Sequence, residues 1–288
     1  MSAASSVFRA NATALITGAA SGVGLAVAKL CASHSMNIIL VDNNSSKLAE
    51  AKAAIKTKGT VEAHDMDVSS LSDWSELKTK LGGTKLDFMH LNAGIMMNSD
   101  WTDNAYFHKI FNVNLFGVVN GINIFFPDFQ DNDGGRKAIV VTGSKQGITN
   151  PPGNPAYNAT KSAVKTIAEH LSFDLAKTSP NTSVHLLVPG WTFTGMTDGG
   201  KTTTKPDGAW APEQVADYLY KKMSENKFYA ICPDNDVDWE TDRKRMTWTM
   251  GDLVYERQPQ SRWREEYKEE AQKTMDGMKL GTKQADSL

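Results

Sequence analysis

ATALITGAASGVGLAVAKLCASH, residues 12–34, is the stretch whose reading decides the fold. The apolar run 12–17 predicts a strand, the glycines at 18, 22 and 24 predict a tight turn, and the apolar residues of LAVAKLCASH recur at helical spacing. Glycine in such a turn lets backbone approach a pyrophosphate, and the helix behind it presents unpaired N–H groups and a positive dipole end. The spacing is GxxxGxG rather than GxGxxG, and a Gly-rich turn alone is equally compatible with a plain strand-to-helix connection. Its neighbours must decide.

The next strand, NIILVD at 37–42, ends in Asp42, eighteen residues after Gly24. An acid near that spacing accepts hydrogen bonds from the hydroxyls of an adenosine ribose and repels a 2′-phosphate. No Arg or Lys stands at Ser21, Asn43 or Asn44 to neutralise that phosphate, so NAD is favoured over NADP. Turn capping is the plainer role, but Asn43, Asn44, Ser45 and Ser46 already offer capping groups. Further strands are expected near 60–65, ahead of Asp67-Val68, and at LDFMHLNAG (86–94), KAIVVTGS (137–144), SVHLLVPG (183–190) and FYAIC (228–232). Their alternation with helical segments predicts right-handed βαβ units, and so an α/β fold with a doubly wound, seven-stranded parallel sheet. Asn92-Ala93-Gly94 and Ser144 then fall at strand carboxyl ends, where such sheets bind ligands.

Tyr157 and Lys161 are four residues apart, one turn on the same face of a helix expected from Asn154 to about Lys177. A free phenol has a pKa of about 10, and a close ammonium lowers it, which would make Tyr157 a usable acid/base. Ser144, thirteen residues earlier across a Gly/Pro/Asn-rich loop, would polarise a substrate oxygen. Taken alone, a Tyr–Lys pair at this spacing is common on surface helices. Residues 105–127 predict a long helix containing Asn112, Asn114 and Asn120, whose amides compete for backbone groups. Local distortion or a polar contact is expected there, solvation or capping being the plain alternative.

The chain has 288 residues, a net charge of -2 from 31 Lys+Arg against 33 Asp+Glu, and 40% hydrophobic residues. Such a balance gives no footprint for nucleic acid. Two cysteines are too few for a disulfide framework or a Cys metal site, so no metal and a reducing compartment are expected. Consecutive apolar runs are too short for a membrane span, the first residues lack a signal-peptide core, and the end ADSL is not a peroxisomal address. These readings point to a cytoplasmic protein without a membrane partner. The segment 191–210, rich in Gly and Thr, reads as a mobile lid, with disorder lacking any role as its alternative. The chain divides into a dinucleotide-binding and catalytic domain at 1–235 and a charged helical extension at 236–288. Five of the seven tryptophans lie at or beyond Trp191, either as pocket wall or subunit contact, or as a plain cover for one end of the core.

Together these motifs closely resemble the short-chain dehydrogenase/reductase family over about 10–232. Thr17 to Gly24, with Gly18, Ser21, Gly22, Val23 and Gly24, is similar to its TGxxxGxG cofactor motif, Asn92-Ala93-Gly94 to its NAG motif and Asp67-Val68 to its adenine-contacting pair. Asn114, Ser144, Tyr157 and Lys161 fall on its catalytic tetrad, and Pro189-Gly190 begins its PGxxxT segment, with Thr194 at the threonine. The resemblance implies a Rossmann fold and an NAD-dependent hydride transfer between nicotinamide C4 and a small-molecule secondary alcohol or ketone. Tyr157 would transfer the proton, Lys161 would hold the nicotinamide ribose, Ser144 would bind the substrate oxygen and Asn114 would position a water relay. Thr192 and Thr194 would meet the carboxamide. A homodimer or homotetramer paired through the long helices is expected, with the extension as the departure from minimal family length. By position, Gln146, Asn154, Trp191 and Met196 are the substrate-pocket candidates. A lyase or epimerase using the same tyrosine, or a redox-inert NAD-binding sensor, are the competing functions.

Overall fold

Strand β1 (Thr13–Thr17) runs into helix α1 (Gly22–Ser33), and β2 (Asn37–Asp42), α2 (Ser45–Ala54) and β3 (Val61–Asp65) complete one half of the sheet. The other half is built from α3 (Leu71–Lys80), β4 (Phe88–Leu91), α4 (Asn104–Gln130), β5 (Lys137–Thr142), α5 (Pro155–Thr178), β6 (Thr182–Val188), α6 (Pro212–Ser224) and β7 (Tyr229–Ile231). This computed structural model describes residues 6–97, 100–130, 134–198 and 202–281. All seven strands are parallel, in the order β3-β2-β1-β4-β5-β6-β7. The expected doubly wound sheet is present, and its order reverses between β1 and β4, the position at which such sheets open a ligand crevice.

Alternation along each strand divides the core between the two faces. Ala14, Ile16, Ile38, Leu40 and Val140 pack toward α1 and α6, while Leu15, Ile39, Val41, Ile139 and Val141 pack toward α3, α4 and α5. Both faces being covered explains why these strands read as near-continuous apolar runs.

Helix α4 changes to a π-helical turn over Asn112–Phe116, so the distortion expected from its asparagines is present. The polar contacts are present too. Asn114 is fully buried, its Oδ1 accepting from Ile95 N at 2.8 Å and its Nδ2 donating to Ile95 O at 3.0 Å. Asn120 donates to Val68 O and Ser69 O, both at 3.3 Å. By length and composition α4 could cross a membrane, with a mean hydropathy of 1.4. That corrects the expectation drawn from apolar runs, which the asparagines and Lys109 interrupt. In this fold α4 lies on the sheet, with Val118, Gly121, Phe125 and Phe129 buried.

The extension is helical, as its pattern predicts, with α7 (Trp239–Val254) and α8 (Lys268–Gly277) joined by two 3-10 turns. Trp248, 2% exposed, donates from Nε1 to Ser261 Oγ at 2.8 Å. Asp252 accepts from Ser261 N at 3.1 Å and from Arg257 Nε at 3.0 Å, and the Arg257 guanidinium lies 3.7 Å from the Trp248 ring centroid. Within 191–210, Thr192 bridges Trp210 in a parallel pair, and 199–201 lie outside the described residues.

Candidate active site

A cleft of about 710 Å³ opens along the carboxyl ends of the strands. Gly18, Ser21, Gly22, Val23, Asp42, Asn92, Ala93, Gly94, Pro189, Gly190, Thr192 and Thr194 line it together with Ser144, Tyr157 and Lys161. Gly18 and Gly22 have φ of +63° and +55°, a region disfavoured for side chains. A Cβ at Gly18 would stand 2.9 Å from Ala93 Cα, and one at Gly22 3.2 Å from Thr194 Cγ2 on the opposite wall. The turn is therefore glycine for both conformation and clearance. Ser21 is the N-cap residue of α1 but makes no side-chain cap, and the first turn carries no acid, so its N–H groups face the cleft as an anion site. These features suit a dinucleotide pyrophosphate. Asp42 accepts from Ala20 N and Asn44 N, both at 3.0 Å, which fixes the carboxylate at the cleft edge.

Three expected cofactor residues do not line the cleft. Gly24 is where α1 crosses the turn, since a Cβ there would stand 2.2 Å from Gly18 O. Val68 is buried beneath α4, its carbonyl accepting from Trp74 Nε1 at 2.8 Å. Asp67 is exposed and accepts from Ser69 N at 2.9 Å.

The catalytic corner is built by β5 and α5. Asn154 caps α5 by accepting from Tyr157 N at 3.1 Å, which starts the helix with Tyr157 and Lys161 on its buried face. Lys161 donates from Nζ to Thr142 O at 2.9 Å, and its Nζ lies 5.8 Å from the Tyr157 ring centroid. Burial pushes the Lys161 ammonium down to about 8. Burial also raises the Tyr157 phenol, a hydrogen bond with Ser144 pulling the opposite way and the Tyr106 hydroxyl adding to the rise. Desolvation of a side chain only 6% exposed is the largest cause, so the phenol stands above its ordinary value here rather than below it as the Tyr–Lys spacing suggested. Asn114 and Lys161 meet around Gly94, where a Cβ would be 3.3 Å from Asn114 Oδ1 and 3.6 Å from Lys161 Nζ.

A partly buried chain of hydrogen bonds that the sequence motifs did not reveal braces these strand ends. Asn92 Nδ2 donates to Thr17 O at 3.1 Å, Thr142 Oγ1 to Asn92 Oδ1 at 3.2 Å, and His90 Nε2 lies 2.9 Å from Thr142 Oγ1. With the Thr142 proton committed to Asn92, the His90 Nε2–H must donate. Burial holds His90 neutral, pushing its pKa down to about 3. The signal available in the sequence was a histidine inside β4 and a threonine closing each of β1 and β5.

On the substrate side, Gln146, Trp191 and Met196 line the cleft with Ile95, Met96 and Met97. Asn154 does not; its amide is spent on capping α5 and on Met97 O at 2.7 Å. Three lysines were not anticipated. Lys47 of α2 lines the Asp42 end, Lys109 of α4 lines the cleft, and Lys145 follows Ser144 directly. Lys145 Nζ is 2.6 Å from Asp242 Oδ2 and 3.4 Å from Asp234 Oδ2, so the extension of the same chain reaches the wall of its own cleft.

The family model described as short chain dehydrogenase matches residues 12–205. An uncharacterised oxidoreductase of Listeria monocytogenes is 31% identical over 230 residues, which is 78% of this chain and 86% of that protein. Among solved structures, a short chain dehydrogenase/reductase from Burkholderia phymatum in complex with NAD superposes with a TM-score of 0.77 at 25% identity, covering 87% of this chain and 96% of that one. A 3-ketoacyl-(acyl-carrier-protein) reductase from Brucella melitensis complexed with NADH superposes with a TM-score of 0.69 at 25% identity, covering 78% and 98%.

Proposed function

The chain belongs to the short-chain dehydrogenase family, and from that premise we propose that it is an NAD-dependent oxidoreductase acting between a secondary alcohol and its ketone. The observation that carries the reading is the convergence of Ser144, Tyr157 and Lys161 in one cleft with the glycine turn that follows β1. The dinucleotide supplies a hydride acceptor or donor at nicotinamide C4. In the proposal, Ser144 and Tyr157 hold the substrate oxygen between two hydroxyls. For reduction, Tyr157 gives its proton to the carbonyl oxygen as the hydride reaches carbon, and for oxidation it takes the alcohol proton as the hydride leaves. A phenol held high by burial favours the donor role near neutrality.

Lys161, anchored on Thr142 O, presents its ammonium to the cleft, which supports its assignment to the nicotinamide ribose and to the phenolate. Asn114 grips Ile95 through both backbone groups and reaches toward Lys161 around Gly94, which supports a relay at that point. Thr192 and Thr194 are proposed to meet the carboxamide. Asp42 supports NAD as the preferred nucleotide, with Lys47 at the same end as the residue able to tolerate NADP. Phe116 and Phe173, 49% and 61% exposed on α4 and α5, support pairing of subunits through those helices.

The test is an NADH-absorbance screen of the full chain against secondary alcohols, polyols, hydroxysteroids and ketones, with NAD and NADP in parallel. Net NADH formation or consumption on a member of the panel is expected. Tight NAD binding with no net redox change on any member would favour a lyase, an epimerase or a sensor instead.

A further inference from the structure

Ser144 is followed by a cleft-lining lysine whose ammonium is paired within the protein. Its ammonium sits between Asp234, which follows β7, and Asp242 in the first turn of α7, and both carboxylate side chains are 5% exposed. Asp234 is itself a junction. Its Oδ2 accepts from Trp191 N at 3.0 Å, its Oδ1 accepts from Val237 N at 2.8 Å, and a Cβ on Gly190 would stand 2.7 Å from Oδ2. The same three side chains therefore join the Ser144 turn, the Pro189–Trp191 turn and the extension.

Asp242 is presented by a stiff element. Asp238 caps α7 by accepting from Thr241 N at 2.8 Å, and the Trp248–Ser261–Asp252–Arg257 cluster closes its far end. A second tie runs from Gln260 Nε2 to Asn150 O at 3.0 Å, between two residues whose φ are both positive, 58° and 48°. Asn150 lies in the loop between Ser144 and Tyr157. The cofactor half of the cleft, at the glycine turn and Asp42, receives neither tie.

We propose that Lys145 is a positioning residue: clamped between Asp234 and Asp242, it lets the C-terminal extension of the same chain fix the Ser144 and Trp191 turns, and with them the substrate wall of the cleft. The inference rests on the reading of the cleft as a dehydrogenase site. Buried ion pairs add little net stability but leave an uncompensated charge when one member is removed, and this one joins three separate segments of backbone. Asp242→Asn is the mild probe, because Lys145 keeps Asp234 as a partner; Lys145→Met is the severe one, because it leaves two buried carboxylates facing each other.

The deciding experiment is hydrogen–deuterium exchange on the full chain with NAD bound. In Asp242→Asn, the segments 143–150 and 189–194 are expected to exchange on the order of ten-fold faster while 18–24 keeps the wild-type rate. Lys145→Arg, which retains a cation between the carboxylates, is expected to keep the slow exchange. On the best alcohol from the panel, KM for that alcohol should rise roughly ten-fold in Asp242→Asn, and the NAD dissociation constant should rise by less, because the glycine turn and Asp42 keep their contacts while only Thr192 and Thr194 lie on the loosened turn. Wild-type exchange in both segments, or equal acceleration in 18–24, would overturn the proposal, the latter showing general loosening rather than positioning. Should the wild type turn over no member of the panel, the dehydrogenase reading falls, and the exchange rates alone still decide whether the extension sets these turns.

Discussion

Lys161 carries a definite pH signature. Burial brings its ammonium down to about 8, and burial raises the Tyr157 phenol. Carbonyl reduction needs both protons in place, and both are lost as pH rises, the lysine first. The reductive kcat/KM should be level near neutrality and fall as pH climbs through about 8; a profile that stays level to the phenol's ordinary value of about 10 would contradict the assignment. Spacing, read with the ordered motifs around it, made Tyr157 and Lys161 legible, but the sign of the phenol shift was not, because desolvation depends on what α5 is packed against. Asp42 was legible in the same way and Lys47 was not, since a residue one turn into α2 approaches the ribose end only once the helix is placed. Asp42→Ala is expected to weaken NAD and relax discrimination against NADP by roughly ten-fold or more, given the worth of a charged hydrogen bond, and adding Lys47→Met should then remove the NADP gained. Unchanged cofactor preference measured by paired NAD and NADP titrations would remove Asp42 as the selector.

At the scale of elements, the loop between β5 and α5 sets the catalytic geometry through a backbone contact. A Cβ at Gly147 would stand 2.5 Å from Lys161 C and 2.7 Å from Lys161 O, so the Ser144 turn and the catalytic helix approach as closely as two backbones can. Gly147→Ala is expected to lower stability by about 1–3 kcal/mol, as overpacking does, and to lower kcat more than a surface substitution of equal stability effect, because Lys161 must shift. Denaturant melts and kinetics on one preparation check this, and wild-type values in both would contradict the contact. The asparagines of α4 show the opposite case. Their poor fit to a helix interior signalled a distortion or a polar contact, and the structure has both, yet the partner, Ile95 of the segment after β4, is distant in sequence and had no local signal. The same is true of Asn154, placed by position near substrate and used by the structure as the cap of α5.

Over the whole molecule, strand count, parallel order and the ligand edge followed from the alternation of short apolar runs with helical ones, because a sheet covered on both faces leaves that pattern in sequence. The extension was legible as helical and charged, but not in its reach, since the pairing of Lys145 with Asp242 joins positions 97 apart. The account makes one demand on the assembled cleft: a dinucleotide bound by the glycine turn and Asp42, and proton transfer by a side chain that contributes little to that binding. Tyr157→Phe separates the two. Measured on a substrate that the wild type oxidises or reduces, turnover should fall by roughly 10²–10⁴-fold, the range of general acid/base catalysis, while NAD affinity stays within a few-fold. Turnover near that of the wild type would contradict the account by removing Tyr157 from the mechanism.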